Sequence, residues 1–211
     1  MEELQSLLRT YRLSHPEDLI LAPWSNQFCE QTFPKYWGII YSILRGFDNN
    51  LRIVEIGCGL GDITSILVYL GFKSVMSFEK EKDVALAAQR TIFDLFKKDG
   101  IVVNMEYPGG KTFNCEMLIM VNCAYGSLAS SKEEYLTLLK YYYECAGKPK
   151  YFILEVIDSS YDIEDKEFPS YIRIGKTDVT GLFPEHKIDA WETYRYPVNR
   201  RSKTLYLIDR T

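Results

Sequence analysis

The sequence predicts an α/β fold built on a mostly parallel sheet, and three observations support that prediction. From residue 51 onward, short apolar strand patterns alternate with amphipathic helix patterns, which is the order of elements in a sheet covered by helices on both faces. A glycine-rich turn at 57–61 follows the first strand directly. The last two strand patterns, at 187–196 and 203–209, have no helical stretch between them and should form an antiparallel hairpin.

The elements of the predicted sheet can be placed one after another along the chain. Strands are expected at 51–56, 74–78, 101–105, 117–121 and 151–157, and helices from 62 to 71, around 84–96 and over 132–146. Asp62 is expected to cap the first of these helices. Residues 159–184 are acidic and contain Pro169, Gly175 and Pro184, so an irregular segment is expected there.

Residues 1–50 form a helical extension in this prediction, ahead of a domain at 51–211. Apolar residues from Leu4 to Tyr11 repeat at the spacing of an amphipathic helix. A loop is expected at 21–26, and a second helix from residue 33 to about residue 46.

The segment Gly57-Cys58-Gly59-Leu60-Gly61, between the first strand and the next helix, has the composition of a ligand-binding loop. Its glycines allow a tight turn and let a ligand approach the backbone closely. Free amides at the start of the following helix favour a negatively charged group of that ligand. Glu79 ends the second strand, where a carboxylate can accept hydrogen bonds from both hydroxyl groups of a ribose.

The spacing of the glycines distinguishes between two kinds of ligand that contain a nucleoside. NAD-binding proteins carry G-x-G-x-x-G, whereas this chain has G-x-G-x-G preceded by Glu55. Glu55, the three glycines, Glu79 and the terminal hairpin together resemble the class I family of methyltransferases that depend on S-adenosylmethionine (SAM), over residues 51–210. Two alternatives stay open: an NAD-dependent oxidoreductase, which the spacing and the hairpin disfavour, and a turn whose glycines serve packing alone.

The resemblance implies a three-layer, Rossmann-like methyltransferase fold with SAM as its cofactor. It places one set of residues at the methionine end of the SAM site and Glu79 at the ribose, with Lys80 assigned to the same site. The set at the methionine end is Glu55, Gly57, Gly59 and Gly61, with Cys58 as a small residue of the same loop.

The resemblance also suggests how the ligand is covered. N-terminal helices lie over SAM in many members of the family, so Trp24, Tyr36 and Trp37 are candidates for a lid, with core packing as the alternative. Glu106 follows the third strand and is the candidate for a contact with adenine, or a solvated strand end.

Methyl transfer from SAM is an in-line attack on an electrophilic methyl group, so the protein mostly aligns the reactants and excludes water. No metal is needed, and an alcohol acceptor would require a general base. After the fourth strand, amino methyltransferases of DNA and some proteins carry Asn/Asp-Pro-Pro-Tyr/Phe, whereas this chain has Asn122-Cys123-Ala124-Tyr125 without the prolines. The missing prolines disfavour the amino methyltransferase motif. Asn122 and Tyr125 are still expected to line an acceptor pocket, with loop packing as the alternative.

Asp158, at the end of the fifth strand, is the candidate general base and completes the predicted catalytic set with Asn122 and Tyr125. Its alternative role is to cap a loop. Glu155 is expected to be either a base with a raised pKa or the partner of a neighbouring cation. A surface position is expected for His186 rather than a catalytic one. A basic patch near the last hairpin is interpreted as a solvated turn, and it comprises Arg195, Arg200, Arg201 and Lys203.

Composition limits the partners and the compartment. The formal net charge is −4, so a nucleic-acid partner is not expected, and a small-molecule acceptor is. The five cysteines form no C-x-x-C pair, which argues against a metal site and a disulfide framework and favours a reducing, cytoplasmic setting. The first residues are acidic and unlike a signal peptide, and no apolar run reaches the length of a membrane span. A monomer and a homodimer both stay open.

These observations favour a SAM-dependent methyltransferase that acts on an oxygen or nitrogen atom of a small molecule. A SAM-binding enzyme with other chemistry, such as a SAM cyclase or lyase, would use the same loop and stays open. A non-catalytic SAM-binding interaction subunit is the third alternative.

Overall fold

The structure is a computed structural model that describes residues 1–29, 33–123, 128–166, 168–195 and 202–210. The chain divides into two compact units, residues 1–109 and 110–211. The expected boundary between an extension at 1–50 and a domain at 51–211 stays a prediction. No helix among the described residues is both long enough and apolar enough to cross a bilayer.

The first unit contains the N-terminal helices and the first three strands. Its helices are α1 (Glu2–Ser14), α2 (Pro16–Leu21), α3 (Lys35–Leu44), α4 (Asp62–Tyr69) and α5 (Lys82–Phe96), and its strands are β1 (Arg52–Ile56), β2 (Ser74–Glu79) and β3 (Val102–Asn104). The expectation of a loop at 21–26 is wrong, because a 3-10 helix occupies Pro23–Cys29. Proline suits the first position of a helix, since its fixed φ is already helical and its missing N–H would have no partner there.

The second unit contains the remaining strands and two α-helices. Its elements are β4 (Met117–Met120), α6 (Lys132–Cys145), β5 (Tyr151–Ile157), a 3-10 helix (Ser170–Ile172), α7 (Lys176–Leu182), β6 (Lys187–Arg195) and β7 (Ser202–Asp209). The irregular segment expected at 159–184 in fact contains helix α7. The N–H of Gly175 donates to Oδ2 of Asp178 at 2.9 Å, which fixes the start of this helix. The side chain of Val179 on the inner face of the helix is buried.

The seven strands form one sheet in the order β3-β2-β1-β4-β5-β7-β6. Strand β2 is parallel to β1 and β3, and β4 is parallel to β5. Strand β7 is antiparallel to both β5 and β6, and Lys203 at its start lies opposite Ile157 at the end of β5. The mostly parallel sheet and the terminal antiparallel hairpin are therefore confirmed.

Burial along the strands explains why their sequences lack alternation. All four residues of β4 are buried, and so are all residues of β5 after Tyr151. Strands covered on both faces read as continuous apolar runs, as Met117-Leu118-Ile119-Met120 does. The exception inside β5 is Glu155, which is buried and charged and therefore requires a partner.

Candidate functional site

The glycine loop connects β1 to α4 and turns through a backbone conformation that other residues rarely adopt. Gly59 has a φ of +55° and Gly61 a φ of +83°, both in the left-handed region that favours glycine. The N–H of Cys58 donates to the carbonyl of Phe78 at 2.9 Å, which holds the start of the loop against β2. Gly61 is the residue immediately before the first turn of α4.

Glu79 lies against this loop, as the sequence predicted for an acidic residue at the end of β2. Its Oε2 accepts a hydrogen bond from the N–H of Gly59 at 3.0 Å, and its Oε1 accepts one from the N–H of Glu81 at 3.0 Å. The side-chain amide of Asn104 donates to the backbone carbonyls of Glu79 and Lys80, each at 3.0 Å. The carboxylate is therefore fixed in place beside the loop. The Lys80 side chain is exposed.

Glu55 has a supporting position inside the unit. The residue is 3% exposed, and its carboxyl group accepts hydrogen bonds from the hydroxyls of Thr64, at 2.6 Å, and Ser77, at 2.7 Å. Burial raises the pKa of Glu55 to about 7, against the lowering effect of these two hydroxyls. The residue joins β1 to α4 and β2, the elements that carry the glycine loop and Glu79.

The side chain of Cys58 is buried in the core of the unit. It packs with Ala85, Ala88, Ile92 and Val102, and burial raises the pKa of its thiol well above the ordinary value. A buried thiol with a raised pKa is a poor nucleophile, so Cys58 acts as a small residue of the loop.

Asp62 corrects a detail of the prediction, because its carboxylate does not cap helix α4. Gly61 is the N-cap residue, and no side chain caps the helix. The Asp62 carboxylate instead accepts from Arg12 at 3.0 Å and from the hydroxyl of Ser25 at 3.3 Å. The ring N–H of Trp37 donates to the Asp62 carbonyl at 3.2 Å. Three N-terminal elements therefore meet the first residue of α4.

Of the three lid candidates, Trp24 is the one that lies at the glycine loop with an exposed ring. It is 57% exposed, and a Cβ atom on Gly59 would lie 3.6 Å from its Nε1. Tyr36 and Trp37 are buried and belong to the core of the unit. Glu106, the candidate for the adenine contact, is exposed.

The second unit brings several predicted residues together around a lysine. Lys203 donates a hydrogen bond from Nζ to Oδ1 of Asn122, which has a left-handed φ of +53°. The same Nζ lies 3.8 Å from Oε2 of Glu155, and the hydroxyl of Thr193 donates to Oε1 of Glu155 at 2.6 Å. Glu155 is thus the partner of a cation, one of its two expected roles. Tyr125 lies outside the described residues.

Lys203 corrects the interpretation of the basic patch. Its side chain is only 12% exposed and pairs with Glu155, so it does not belong to a solvated turn. The sequence signal was available in principle: a buried glutamate inside an apolar strand requires a cation, and an antiparallel neighbour can supply one. Arg200 and Arg201 lie outside the described residues.

Asp158, the candidate base, lies next to this cluster. Its Oδ2 accepts from the hydroxyl of Thr204 at 2.8 Å, and its Oδ1 accepts from the N–H of Ser160 at 2.9 Å. The second contact is the loop cap that the sequence offered as the alternative role. Both oxygens are held in one orientation, and the side chain remains partly exposed.

His186 packs against the aromatic rings of Tyr143 and Phe183. Its Nε2 lies 3.1 Å from the hydroxyl of Tyr143, and its ring lies against Phe183. Burial lowers the pKa of His186, which favours the neutral ring.

Comparison with known proteins shows that this chain is similar to some of them in structure but not in sequence. No protein-family model matches the sequence, and no curated protein does. Magnesium protoporphyrin IX methyltransferase from Synechocystis, with bound SAH, has a TM-score of 0.63 at 11% identity, and the match covers 98% of this chain and 99% of that one. A SAM-dependent methyltransferase from Clostridium acetobutylicum has a TM-score of 0.60 at 12% identity, over 90% of this chain and 97% of that one.

A third solved structure, the methyltransferase domain of bacterial CtHen1, has a TM-score of 0.59 at 10% identity and covers 83% of this chain and 96% of its own. Identities this low report on the fold. The sheet of this chain has β7 between β5 and β6 and antiparallel to both. The chain therefore has the fold of the class I SAM-dependent methyltransferases.

Proposed function

We propose that this chain is a SAM-dependent methyltransferase that binds SAM at the glycine loop of its first unit. The observation that carries the proposal is the hydrogen bond from the N–H of Gly59 to the carboxylate of Glu79. This bond joins the glycine loop to the acidic residue at the end of β2. Together these two features distinguish a nucleoside-binding site from an ordinary turn. The solved methyltransferases of the same fold support the proposal.

The residues present fit SAM in their chemistry and in the shape of the backbone. The loop is held in left-handed conformations at Gly57, Gly59 and Gly61, and the missing Cβ of Gly61 lets the loop pack closely against Ala88 and Ile92 of α5. Each Glu79 oxygen accepts one backbone N–H and retains acceptor capacity for a hydroxyl group. Glu79 is suited to the ribose hydroxyls, and the amides at the start of α4 to the methionine carboxylate.

The work of the protein in this proposal is to bind, orient and exclude water. SAM supplies an electrophilic methyl group with a good leaving group attached. Glu79 and the glycine loop hold the nucleoside and amino-acid parts of the ligand. The exposed ring of Trp24 lies near Gly59, and its proposed role is to cover the bound ligand and exclude water. Glu55 holds β1, β2 and α4 together through its buried hydrogen bonds to Thr64 and Ser77.

The acceptor in this proposal is an oxygen or nitrogen atom of a small molecule. The net charge of −4 disfavours a polyanion, and the candidate residues for acceptor binding belong to the second unit. Asp158 is the proposed base, because its carboxylate is oriented by Thr204 and remains partly exposed. Asn122 and Tyr125 are proposed to line the acceptor pocket, with the amide of Asn122 oriented by Lys203.

Isothermal titration of the purified chain with SAM, SAH (S-adenosylhomocysteine) and NADH tests the ligand. We expect binding of the first two and none of the third; tight binding of NADH without SAM would overturn the proposal. Glu79→Ala should weaken SAM binding by roughly 1.5–3 kcal/mol, the usual loss for hydrogen bonds to a charged group. Glu17→Gln, which removes a charge from the exposed surface of the same unit, is the matched control and should bind as wild type does.

Product analysis then separates methyl transfer from other SAM chemistry. Incubation with SAM and a panel of phenols, carboxylic acids and amines should yield SAH and a methylated acceptor. Methylthioadenosine formed without any acceptor would instead identify a lyase or cyclase.

A further inference from the structure

We infer that Arg12 is a positioning residue through which the N-terminal helix α1 sets the conformation of the SAM-binding loop. The inference rests on the proposed function, since it takes SAM as the ligand of that loop. It concerns a residue in the first helix of the chain, about 50 positions before the loop it contacts.

The guanidinium of Arg12 is fully buried and donates to three groups of the first unit. Its Nη2 donates to the carbonyl of Leu60 at 2.7 Å and to Oδ1 of Asp62 at 3.0 Å. Its Nη1 donates to the hydroxyl of Thr91 on α5 at 3.0 Å. A planar guanidinium can make these bonds at once in a fixed geometry, so the position of Leu60 is tied to the position of α1.

Two different parts of the chain hold the loop, one at Gly59 and the other at Leu60. Glu79 accepts from the N–H of Gly59, and Arg12 donates to the carbonyl of Leu60. Gly59 and Gly61 have backbone freedom that no other residue type has, so a loop built on them requires such external contacts to keep one conformation. If the Arg12 contact is lost, only the Glu79 contact of this pair still holds the loop.

The rest of the N-terminal segment converges on the same place. Ser25 bonds the second oxygen of Asp62, and the ring N–H of Trp37 donates to the Asp62 carbonyl. Trp24, the neighbour of Ser25, is exposed, and its Nε1 would lie 3.6 Å from a Cβ atom on Gly59. Contacts from the 3-10 helix and from α3 therefore meet the Arg12 contact at the first residue of α4, directly after the loop.

A buried ion pair is not required for stability alone. Well-packed apolar side chains of similar volume serve as well or better, because desolvation of two charges offsets their attraction. What the Arg12–Asp62 pair adds is a defined geometry between α1 and the start of α4. By thermodynamic reciprocity, a ligand that prefers the ordered loop must also tighten α1 onto the unit.

The test combines SAM titration with amide hydrogen exchange on the full chain. SAM should slow exchange of the amides of α1, Glu2–Ser14, in the wild-type protein. Arg12→Gln should weaken SAM binding by about tenfold or more and abolish the slowing in α1. Arg12→Lys keeps a cation beside Asp62 but lacks the planar set of donors of the guanidinium, so it should bind SAM with intermediate affinity. It also provides a second variant if Arg12→Gln does not fold.

The matched control is Arg90→Gln. Arg90 bonds buried Asp18 at 2.7 Å and also joins the N-terminal segment to α5, but it does not contact the loop. Its loss should lower the melting temperature while changing SAM affinity by less than about threefold.

The outcomes separate the inference from the proposed function. If wild type does not bind SAM, the proposed function fails and the inference falls with it. If wild type binds SAM but exchange in α1 is unchanged, or Arg12→Gln and Arg90→Gln weaken binding equally, Arg12 has a structural role only. The proposed function then stands and the inference is overturned.

Discussion

Glu55 provides the sharpest test of the arrangement around the glycine loop, because it links burial of one carboxyl group to the pH dependence of stability. Folding raises the pKa of this group from 4.5 to about 7, chiefly through burial. The folded state therefore favours the protonated acid. Its contribution to stability is fully present below about pH 4.5 and is lost as the pH rises through about 7.

The size of the effect follows from the difference between the two pKa values. One pKa unit corresponds to about 1.4 kcal/mol, so the rise makes the neutral acid favour folding by about 3 kcal/mol relative to the carboxylate. Between about pH 5 and about pH 8, most of this is lost, and Glu55 lowers the free energy of unfolding by about 2–3 kcal/mol.

The perturbation is Glu55→Gln, which keeps the shape and an acceptor for Thr64 and Ser77 but does not titrate. Urea unfolding at a series of pH values between about 5 and about 8 gives the free energy of unfolding of each protein. The difference between wild type and Glu55→Gln should change by about 2–3 kcal/mol across that range, with the glutamine protein relatively more stable at the alkaline end.

Glu17→Gln is the control for this experiment, because Glu17 is exposed on the same unit. Its pH dependence should be parallel to that of wild type. If Glu55→Gln is also parallel to wild type, Glu55 does not titrate as a buried acid, and the reasoning about its place behind the loop is wrong.

Three further predictions concern stability. Gly61→Ala should lower the free energy of unfolding by about 1–2 kcal/mol, because alanine is strained at a φ of +83°; chemical denaturation measures this. Tyr135→Phe should raise that free energy by about 1 kcal/mol, since the buried Tyr135 hydroxyl has no hydrogen-bond partner among the described residues; an unchanged or lower value would contradict this. Lys203→Met should cost about 3 kcal/mol by removing the cation beside Glu155, and adding Glu155→Gln should restore part of the loss, which a double-mutant cycle measures.

The parts of the molecule that depend on local pattern could be predicted from the sequence. The strand before the glycine loop and the helix after it are predicted by the spacing of their apolar residues and by the glycines of the turn between them. The position of Glu79 beside the loop follows because neighbouring parallel strands present their ends at one edge of a sheet. Those features required no knowledge of long-range contacts.

The parts that depend on long-range pairing could not be predicted in this way. Arg12 lies on a helix whose apolar residues explain its burial, and nothing nearby in the sequence identifies Asp62 as its partner. Lys203 stands among other basic residues, so its pairing with Glu155 was hidden by its neighbours. Helix α7 is short and flanked by Gly175 and Pro184, and its tertiary packing through Val179 outweighs those local signals.

The anchored carboxylate of Glu79 has a consequence for the entropy of ligand binding. A free glutamate side chain that is immobilised by a ligand loses rotamer freedom worth about 0.5–1.5 kcal/mol. Glu79 has already lost that freedom on folding, because the N–H groups of Gly59 and Glu81 hold its two oxygens. In the proposed SAM complex, the ribose would therefore meet an acceptor that is already oriented, and more of the hydrogen-bond energy would be retained as affinity.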